Sequence, residues 1–399
     1  MFDRPRTDAA EAREPKPTVG VVGAGVMGSG IAQLAIEGGH ETILHDVDEG
    51  ALARGRDRIS DGLTRRAARL VIDPTAIDDW VAERLARLNT TVALGEVAQD
   101  AAVIIEAALE SLDLKRTIFT TLDGAAAPDA ILATNTSALS IAAIAAATSR
   151  PGRVVGLHFF NPAPVMKLVE VVAAPATDPA VADAALSLVA GWGRTPVRSA
   201  DTPGFIVNRV NRPYTIRALR LLEAGLATVE EIDAALRADG FPLGPFELMD
   251  LTGIDVSHAA AIGIWDGLGR PERLRPSPIQ TDLITAGRLG RKTGEGFYRY
   301  VQGQRAAAEV AAAVAGLDPA EIRDRVLLPI IDEAYRARAD GVAIEADIDV
   351  GLRLGAAHPA GPFERAAASG GAAAIASRLR ILAEDDPSFN PSEALLGAG

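Results

Sequence analysis

The chain has 399 residues, 48% hydrophobic and 23% charged, with 38 Gly and 24 Pro; this suits a folded protein of two or three domains and excludes both a lone small module and a mainly disordered chain. With no Cys, disulfides, thiolate-bound zinc, iron–sulfur clusters and a cysteine nucleophile are excluded as well. The 40 Lys and Arg against 53 Asp and Glu leave a net charge of −13, which argues against general nucleic-acid or anionic-membrane binding and requires a local basic patch for any anionic ligand.

Residues 1–16 mix both signs of charge with Pro and carry no apolar stretch, so a short flexible leader is expected. No apolar run approaches the roughly 20 residues needed to span a bilayer, and the expectation is a cytoplasmic protein.

From Thr18 an apolar run, Val19 to Val22, leads into Gly23-x-Gly25-x-x-Gly28, a helical stretch to Glu37, a Gly-Gly break and a second strand-like run ending at Asp46. A strand, turn, helix, strand unit with these glycines is a dinucleotide fingerprint. Gly23 permits the tight turn, Gly25 lets a pyrophosphate approach the backbone and Gly28 allows helix and strand to pack closely. Val26 and Met27 complete the phosphate-facing turn at the helix N-terminus. Asp46 lies 18 residues beyond Gly28, near the spacing expected of the carboxylate that binds the adenosine ribose; the other reading is a helix-capping or turn carboxylate. The residues after it are Val47, Asp48 and Glu49, which would repel a 2′-phosphate and favour NAD over NADP.

The alternation continues with helices at about Asp48 to Leu70 and Thr75 to Leu88, a strand at Val103 to Ala107, a helix from Leu112 and a strand at Ile131 to Thr134. Strands follow at Val154 to Phe160 and Leu168 to Val172, separated only by Asn161 to Lys167, too short for a helical crossover, so this pair is expected to be antiparallel. A helix from Asp178 and a strand at Thr195 to Arg198 close a Rossmann-type, doubly wound α/β domain over residues 17–200.

After Asp201-Thr-Pro-Gly the text becomes long amphipathic Ala/Leu-rich stretches without convincing strands, as in an all-α domain. It contains a repeat: Arg209 to Gly225 and Arg325 to Gly341 each span 16 residues, Gly225 to Asp233 and Gly341 to Asp349 each span 8, and Gly-Pro-Phe-Glu recurs at Gly244 to Glu247 and Gly361 to Glu364. This predicts a duplicated helical module, with copy one at 201–300, a linker at 301–318 and a degenerate copy two at 319–399. Asn208 of copy one falls opposite Asp324 of copy two, so any chemistry Asn208 performs is absent from the second copy.

Among five His, His158 stands at the C-terminal end of a predicted strand, where open α/β sheets meet ligands; a strand-end core histidine is the alternative. Glu170 interrupts the apolar run of the next strand, and such a carboxylate must be paired if buried; otherwise it faces an edge. One His and one Glu on neighbouring strands can form a base with its orienting carboxylate. Ser137, after the Ile131 to Thr134 strand, can hydrogen-bond a substrate oxygen or cap the next helix. Asn208 follows Pro203-Gly204 into the helical domain, where it can reach a cleft or sit on a helix surface.

These residues sit in an ordered series, GAGVMGSGIA, IEAALESLDLK, TNTSALSI, GLHFFNPAPVMKLVEVV, DTPGFIVNR, GPFELMDLTGIDV and RLGRKTGEGFY, that resembles the L-3-hydroxyacyl-CoA dehydrogenase family, the 3-hydroxybutyryl-CoA dehydrogenases included, from about Thr18 to Tyr300. The segment at about 319 to 370 resembles the family's C-terminal module again. The resemblance implies NAD-dependent, reversible oxidation of an (S)-3-hydroxyacyl-CoA to the 3-ketoacyl-CoA in fatty-acid or related acyl-CoA metabolism such as beta-oxidation. It implies that His158 is the base for the 3-hydroxyl proton, that Glu170 orients it, that Ser137 and Asn208 place the substrate oxygen, and that Glu110, Lys115, Asn161 and Lys292 join Asp46 at the cofactor. An alcohol releases hydride efficiently only if its proton leaves too, and imidazole suits that task. No metal is expected.

Arg54, Arg58, Arg65 and Arg69, spaced 4, 7 and 4 residues apart, fall within roughly a 60° stripe of one helix face. The family contacts CoA in this region, often through a Ser and a Lys; here Gly62 stands near the Ser position and Arg69 near the Lys, so Arg65 and Arg69 are the CoA candidates. A solvated Arg face is the alternative. Rival functions are a related dehydrogenase of a free hydroxy acid such as gulonate, and a non-catalytic NAD-binding scaffold. In short family members the helical domain resembles a dimerisation unit, so the doubled module implies either a monomer with an internal pseudo-dimer or a homodimer.

Overall fold

The computed structural model describes residues 16–70, 72–306 and 316–398. The expected leader, apart from Lys16, and residues 307–315 of the expected linker lie outside the described residues. The chain divides into two compact units, Met1–Ala108 with Thr121–Leu132, and Leu109–Thr120 with Ala133–Gly399.

The first unit holds β1 (Val19–Val22), α1 (Val26–Glu37), β2 (Thr42–His45), α2 (Glu49–Arg69), α3 (Ile77–Leu85), β3 (Leu88–Thr91), α4 (Leu94–Asp100) and β4 (Val103–Glu106). Its strands lie in the order β3-β2-β1-β4, and every pair is parallel. All four residues of β1 are buried, as a parallel strand covered on both faces requires. Helix α2 buries Leu52, Gly55, Ile59, Leu63 and Ala67 at helical spacing, and Asp48 caps it by accepting from the Gly50 N–H at 2.8 Å. Strand β3 begins at Leu88, the residue where the sequence predicts a helix from Thr75 to end, and it runs through Asn89, Thr90 and Thr91, where no strand was expected. Only its first residue is buried, so its polar Asn-Thr-Thr text carries no apolar alternation.

Helix α5 (Leu112–Ala125) and strand β5 (Ile131–Thr134) each contribute residues to both units. The second unit continues with α6 (Ile141–Ala145), β6 (Val154–Phe159), β7 (Leu168–Ala173), α7 (Pro179–Gly191) and β8 (Thr195–Ala200). Here β6 and β7 are antiparallel, as their short connection requires, and β7 pairs with β8 in parallel.

The helical part follows in the same unit: α8 (Val207–Val210), α9 (Arg212–Glu223), α10 (Val229–Ala238), α11 (Pro245–Thr252), α12 (Ile254–Gly267), α13 (Pro278–Thr285), then α14 (Pro319–Ala339), α15 (Glu345–Gly355), α16 (Pro362–Ala368), α17 (Ala372–Ala383) and α18 (Glu393–Leu396). The strand-free expectation needs one correction. A small antiparallel hairpin, β9 (Tyr300–Val301) with β10 (Gln304–Arg305), turns through Gln302 and Gly303, both at positive φ, the backbone of a two-residue hairpin loop.

The repeat is visible atom by atom. The Asp233 carboxylate accepts from the Phe246 and Glu247 N–H groups at 3.0 Å each, and Asp349 accepts from Phe363 and Glu364 at 2.8 and 3.1 Å. Glu247 and Glu364 reach back to the Gly244 and Gly361 N–H groups in matching capping arrangements. Both copies share one apolar core, with Val210, Tyr214 and Leu236 of the first packed in the same cluster as Val326, Ile331 and Leu352 of the second. Among the described residues no helix is long and apolar enough to cross a membrane.

Candidate active site

In the first unit the glycine-rich turn joins β1 to α1. Gly23 has φ +105°, and a Cβ there would lie 2.7 Å from the Ala107 carbonyl oxygen; at Gly28 it would lie 1.7 Å from the Gly23 oxygen. Neither position accepts a side chain. At Gly25 a Cβ would meet nothing within 4 Å, and no side chain caps α1. The loop therefore leaves a bare cradle at a helix N-terminus, which fits a dinucleotide pyrophosphate. Val26 and Met27 form the first turn of α1, Val26 being exposed.

Asp46 is not the cap of α2. Its Oδ2 accepts from the Ala24 N–H at 2.8 Å and its Oδ1 from the Asp48 N–H at 3.2 Å, so it braces the glycine turn beside the strand end. Along α2 the arginines divide: Arg54 pairs with Asp48 at 3.3 Å, Arg58 donates to the Ala24 carbonyl at 3.0 Å, and Arg65 and Arg69 are exposed. Gly62 faces Gln33, whose Oε1 lies 2.1 Å from where a Cβ would stand. A Ser there would displace Gln33.

In the second unit Glu110 gathers one group of expected residues. Its Oε1 accepts from the Thr136 hydroxyl at 2.6 Å, the Ser137 N–H at 2.9 Å and the Ser137 hydroxyl at 3.3 Å, while Lys115, fully buried, lies 3.4 Å from Oε2. Burial pushes the Glu110 carboxyl up, but Thr136, Lys115 and Ser137 together outweigh it and hold the group below its ordinary value. Ser137 does not cap the following helix; Ser140 does, by accepting from the Ala143 N–H.

His158 and Glu170 face each other directly across the β6–β7 ladder. Cross-strand partners share a face of the sheet, and their side chains meet at 2.6 Å between Nδ1 and Oε2. Glu170 is 0% exposed. Its second oxygen accepts from the Ile206 and Val207 N–H groups at 3.0 and 2.9 Å, so the buried carboxylate has three donors in all, as burial of a charge demands. The turn before α8 delivers those amides, with Gly204 at φ +80° and Phe205 at φ +49°. A non-glycine residue at positive φ costs about 1–3 kcal/mol. The imidazole lies between Phe160 and Phe205, at ring-centroid distances of 4.5 and 5.8 Å. With Nδ1–H donated to a carboxylate, Nε2 carries the lone pair.

Asn208 on α8 donates from Nδ2 to the Ser137 carbonyl at 3.4 Å, joining the Glu110 group to the turn that holds Glu170. Asn161 is exposed just beyond β6. Lys292 is bound instead to both oxygens of Asp255, at 2.6 and 2.7 Å, and none of its contacts reaches His158, Glu170 or Ser137. Three residues escaped the sequence reading. Asn135 accepts the Phe159 N–H at 2.9 Å and so fixes the strand end carrying His158. Asp201 accepts from Ile141 and Ala142 N–H at the start of α6. Arg212 lines a cavity with Asn208. Asn135 directly follows β5 and stands two residues before Ser137, so its place at a strand end was a usable signal; the other two act only through long-range contacts.

Residues 18–202 match the family model described as 3-hydroxyacyl-CoA dehydrogenase, NAD binding domain. Residues 204–300 and 322–395 both match the model described as 3-hydroxyacyl-CoA dehydrogenase, C-terminal domain. The chain belongs to the 3-hydroxyacyl-CoA dehydrogenase family. Its cofactor is accordingly NAD, which suits the bare cradle at Gly25 and the acid at position 46. Similar proteins include the 3-hydroxyadipyl-CoA dehydrogenase of Escherichia coli strain K12, 42% identical over 77% of this chain and 64% of that protein; the alignment thus spans less than two thirds of that relative. The mitochondrial hydroxyacyl-coenzyme A dehydrogenase of Homo sapiens is 41% identical over 71% of this chain and 90% of its own length. The crystal structure of 3-hydroxybutyryl-CoA dehydrogenase from Escherichia coli K12 is similar over 96% of this chain and 98% of that one, with a TM-score of 0.86 and 34% identity.

Proposed function

We propose that this protein oxidises (S)-3-hydroxyacyl-CoA thioesters to 3-ketoacyl-CoA, with His158 as the base. The supporting observation is the buried His158–Glu170 pair, whose carboxylate is itself fixed by two backbone amides. NAD, when bound, supplies the hydride acceptor. The protein's own part is to take the hydroxyl proton on Nε2 of His158 and to place the resulting imidazolium against Glu170, which stabilises that charge without being protonated. Ser137 and Asn208 orient the substrate oxygen. In the reverse direction the imidazolium returns the proton as the carbonyl is reduced.

In the first unit, Gly23, Gly25, Val26, Met27 and Gly28 hold the pyrophosphate and Asp46 the adenosine ribose. In the second, Glu110, Lys115, Asn161 and Lys292 serve the remainder of the cofactor. Arg65 and Arg69, exposed on α2, are available to the CoA phosphates. The process is acyl-CoA breakdown such as beta-oxidation, in the cytoplasm. The shared core of the two helical copies supports a monomer in which copy two stands where a partner subunit otherwise would.

The test is NADH oxidation with acetoacetyl-CoA beside free acetoacetate, with NADPH replacing NADH in a parallel series. Turnover of the thioester with NADH alone is expected. Turnover of free acetoacetate at equal efficiency would contradict the proposal.

A further inference from the structure

The second unit contains a cavity of about 340 Å³, at the small end of ligand-binding volumes. Asn208 lines it, as does Phe160, whose ring lies against that of His158. Much of the remaining wall is apolar, including Leu248, Met249 and Val256. Arg212, the first residue of α9, is the one charged residue of that wall and is 8% exposed.

Its polar neighbours are already committed. Asn211 Oδ1 accepts from His358 Nε2 at 2.7 Å, the Tyr214 hydroxyl donates to the Leu243 carbonyl at 2.7 Å, and Thr215 turns back onto the Arg212 carbonyl at 3.4 Å. The Arg212 guanidinium has no ion pair among the described residues, and its Nε is buried without a hydrogen-bond partner. Burial lowers its pKa to about 10, which leaves it charged at neutral pH. A cation taken out of water without a counterion is costly, and a planar guanidinium matches a carboxylate through two parallel hydrogen bonds.

We propose that Arg212 binds a carboxylate at the far end of the acyl chain, so that the substrates are ω-carboxyacyl-CoA thioesters, the 3-hydroxy derivatives of dicarboxylic acids. This rests on the dehydrogenase reading above and adds its substrate class. The CoA phosphates do not fit the site: one buried cation among apolar walls in so small a space does not suit a nucleotide. The chain is also short. Asn208 and Arg212 are four residues apart, and Asn211 between α8 and α9 keeps helical angles, φ −80° and ψ −5°, so their Cα atoms are separated by about 6 Å along the axis. That spacing suits a few methylene groups between the reacting carbon and the carboxylate.

The test compares 3-oxoadipyl-CoA with 3-oxohexanoyl-CoA, thioesters of equal carbon count that differ only in ending on a carboxylate or a methyl, each with NADH and the full-length protein. The wild type is expected to favour the carboxylate substrate in kcat/KM by at least about tenfold. Arg212→Met should reduce that ratio about 100-fold, as expected when one side of a buried charge pair is removed. Equal efficiency toward both thioesters in the wild type overturns the assignment of Arg212 while leaving the dehydrogenase reading intact. So does an unchanged ratio in Arg212→Met. The wild-type ratio needs no variant, so a substitution that fails to fold leaves the test standing. Turnover of neither thioester overturns the dehydrogenase reading and this one with it.

Discussion

His158 donates from Nδ1 to Glu170 at 2.6 Å, and Glu170 is held from behind by the amides of Ile206 and Val207. Hydrogen bonds to a charged acceptor contribute about 1.5–3 kcal/mol each, so the carboxylate stays in place whichever protonation state the imidazole takes. The pair fixes the tautomer as well as the orientation.

That arrangement makes Glu170→Gln informative. If the new amide oxygen keeps the Ile206 and Val207 N–H groups, its NH2 faces Nδ1, which must then accept; the proton moves to Nε2 and the base is lost. We expect kcat to fall about 100-fold or more with little change in KM for the thioester. Steady-state kinetics giving an unaltered kcat would show that Glu170 only fills space.

Asp46 braces the Ala24 N–H beside the cradle. Asp46→Ala is expected to raise the Kd for NADH by about 10- to 100-fold, equivalent to one or two lost hydrogen bonds to a charged group, and to leave the KM for acyl-CoA nearly constant. Calorimetry showing equal NADH affinity would remove Asp46 from the nucleotide site.

The two helical copies are joined by buried charge as well as by apolar packing. Arg209 and Arg273 of copy one meet Glu333 of copy two at 3.0 and 2.7 Å, with Arg209 and Glu333 only 2% and 1% exposed. Glu333→Ala leaves both guanidinium groups without that partner and should cost about 3–5 kcal/mol, read by denaturant unfolding. A loss below about 1 kcal/mol would mean that the copies do not depend on this contact.

Burial, aided by the nearby Arg365 charge, lowers the pKa of His358 to about 3 from its ordinary 6.5. Between those values the folded protein binds fewer protons at this site than the unfolded chain, so its contribution is fully present above pH 6.5 and is lost as the pH falls, by up to about 1.4 kcal/mol per pH unit. His358→Gln can keep the donor to Asn211 and should flatten unfolding free energy between pH 6.5 and 5. An unchanged slope would assign it to other groups.

Much of this architecture was legible because it is local. Gly23, Gly25 and Gly28, the acid at position 46 and the short β6–β7 connection all act over short stretches of chain, and each stands where it was expected. Strand β3 was hidden because three of its four residues are not buried, and β9–β10 because two-residue strands carry no period; Gln302-Gly303 was the available signal. The His158–Glu170 pair could be suggested from adjacent strands. The amides of Ile206 and Val207 could not, since they come from 36 and 37 residues beyond Glu170. Arg212 reads in sequence as one more Arg of a basic helix, and only the fold shows it buried with no ion pair among the described residues and its Nε without a hydrogen-bond partner there.

The most direct test of the account is the rate of NADH oxidation by acetoacetyl-CoA at saturating concentrations of both, for the wild type and for His158→Gln. With His158 as the base, the wild type turns over, the variant falls by about 10²- to 10⁴-fold, and NADH affinity is equal in the two. Turnover that survives the substitution would take His158 out of the reaction and contradict it.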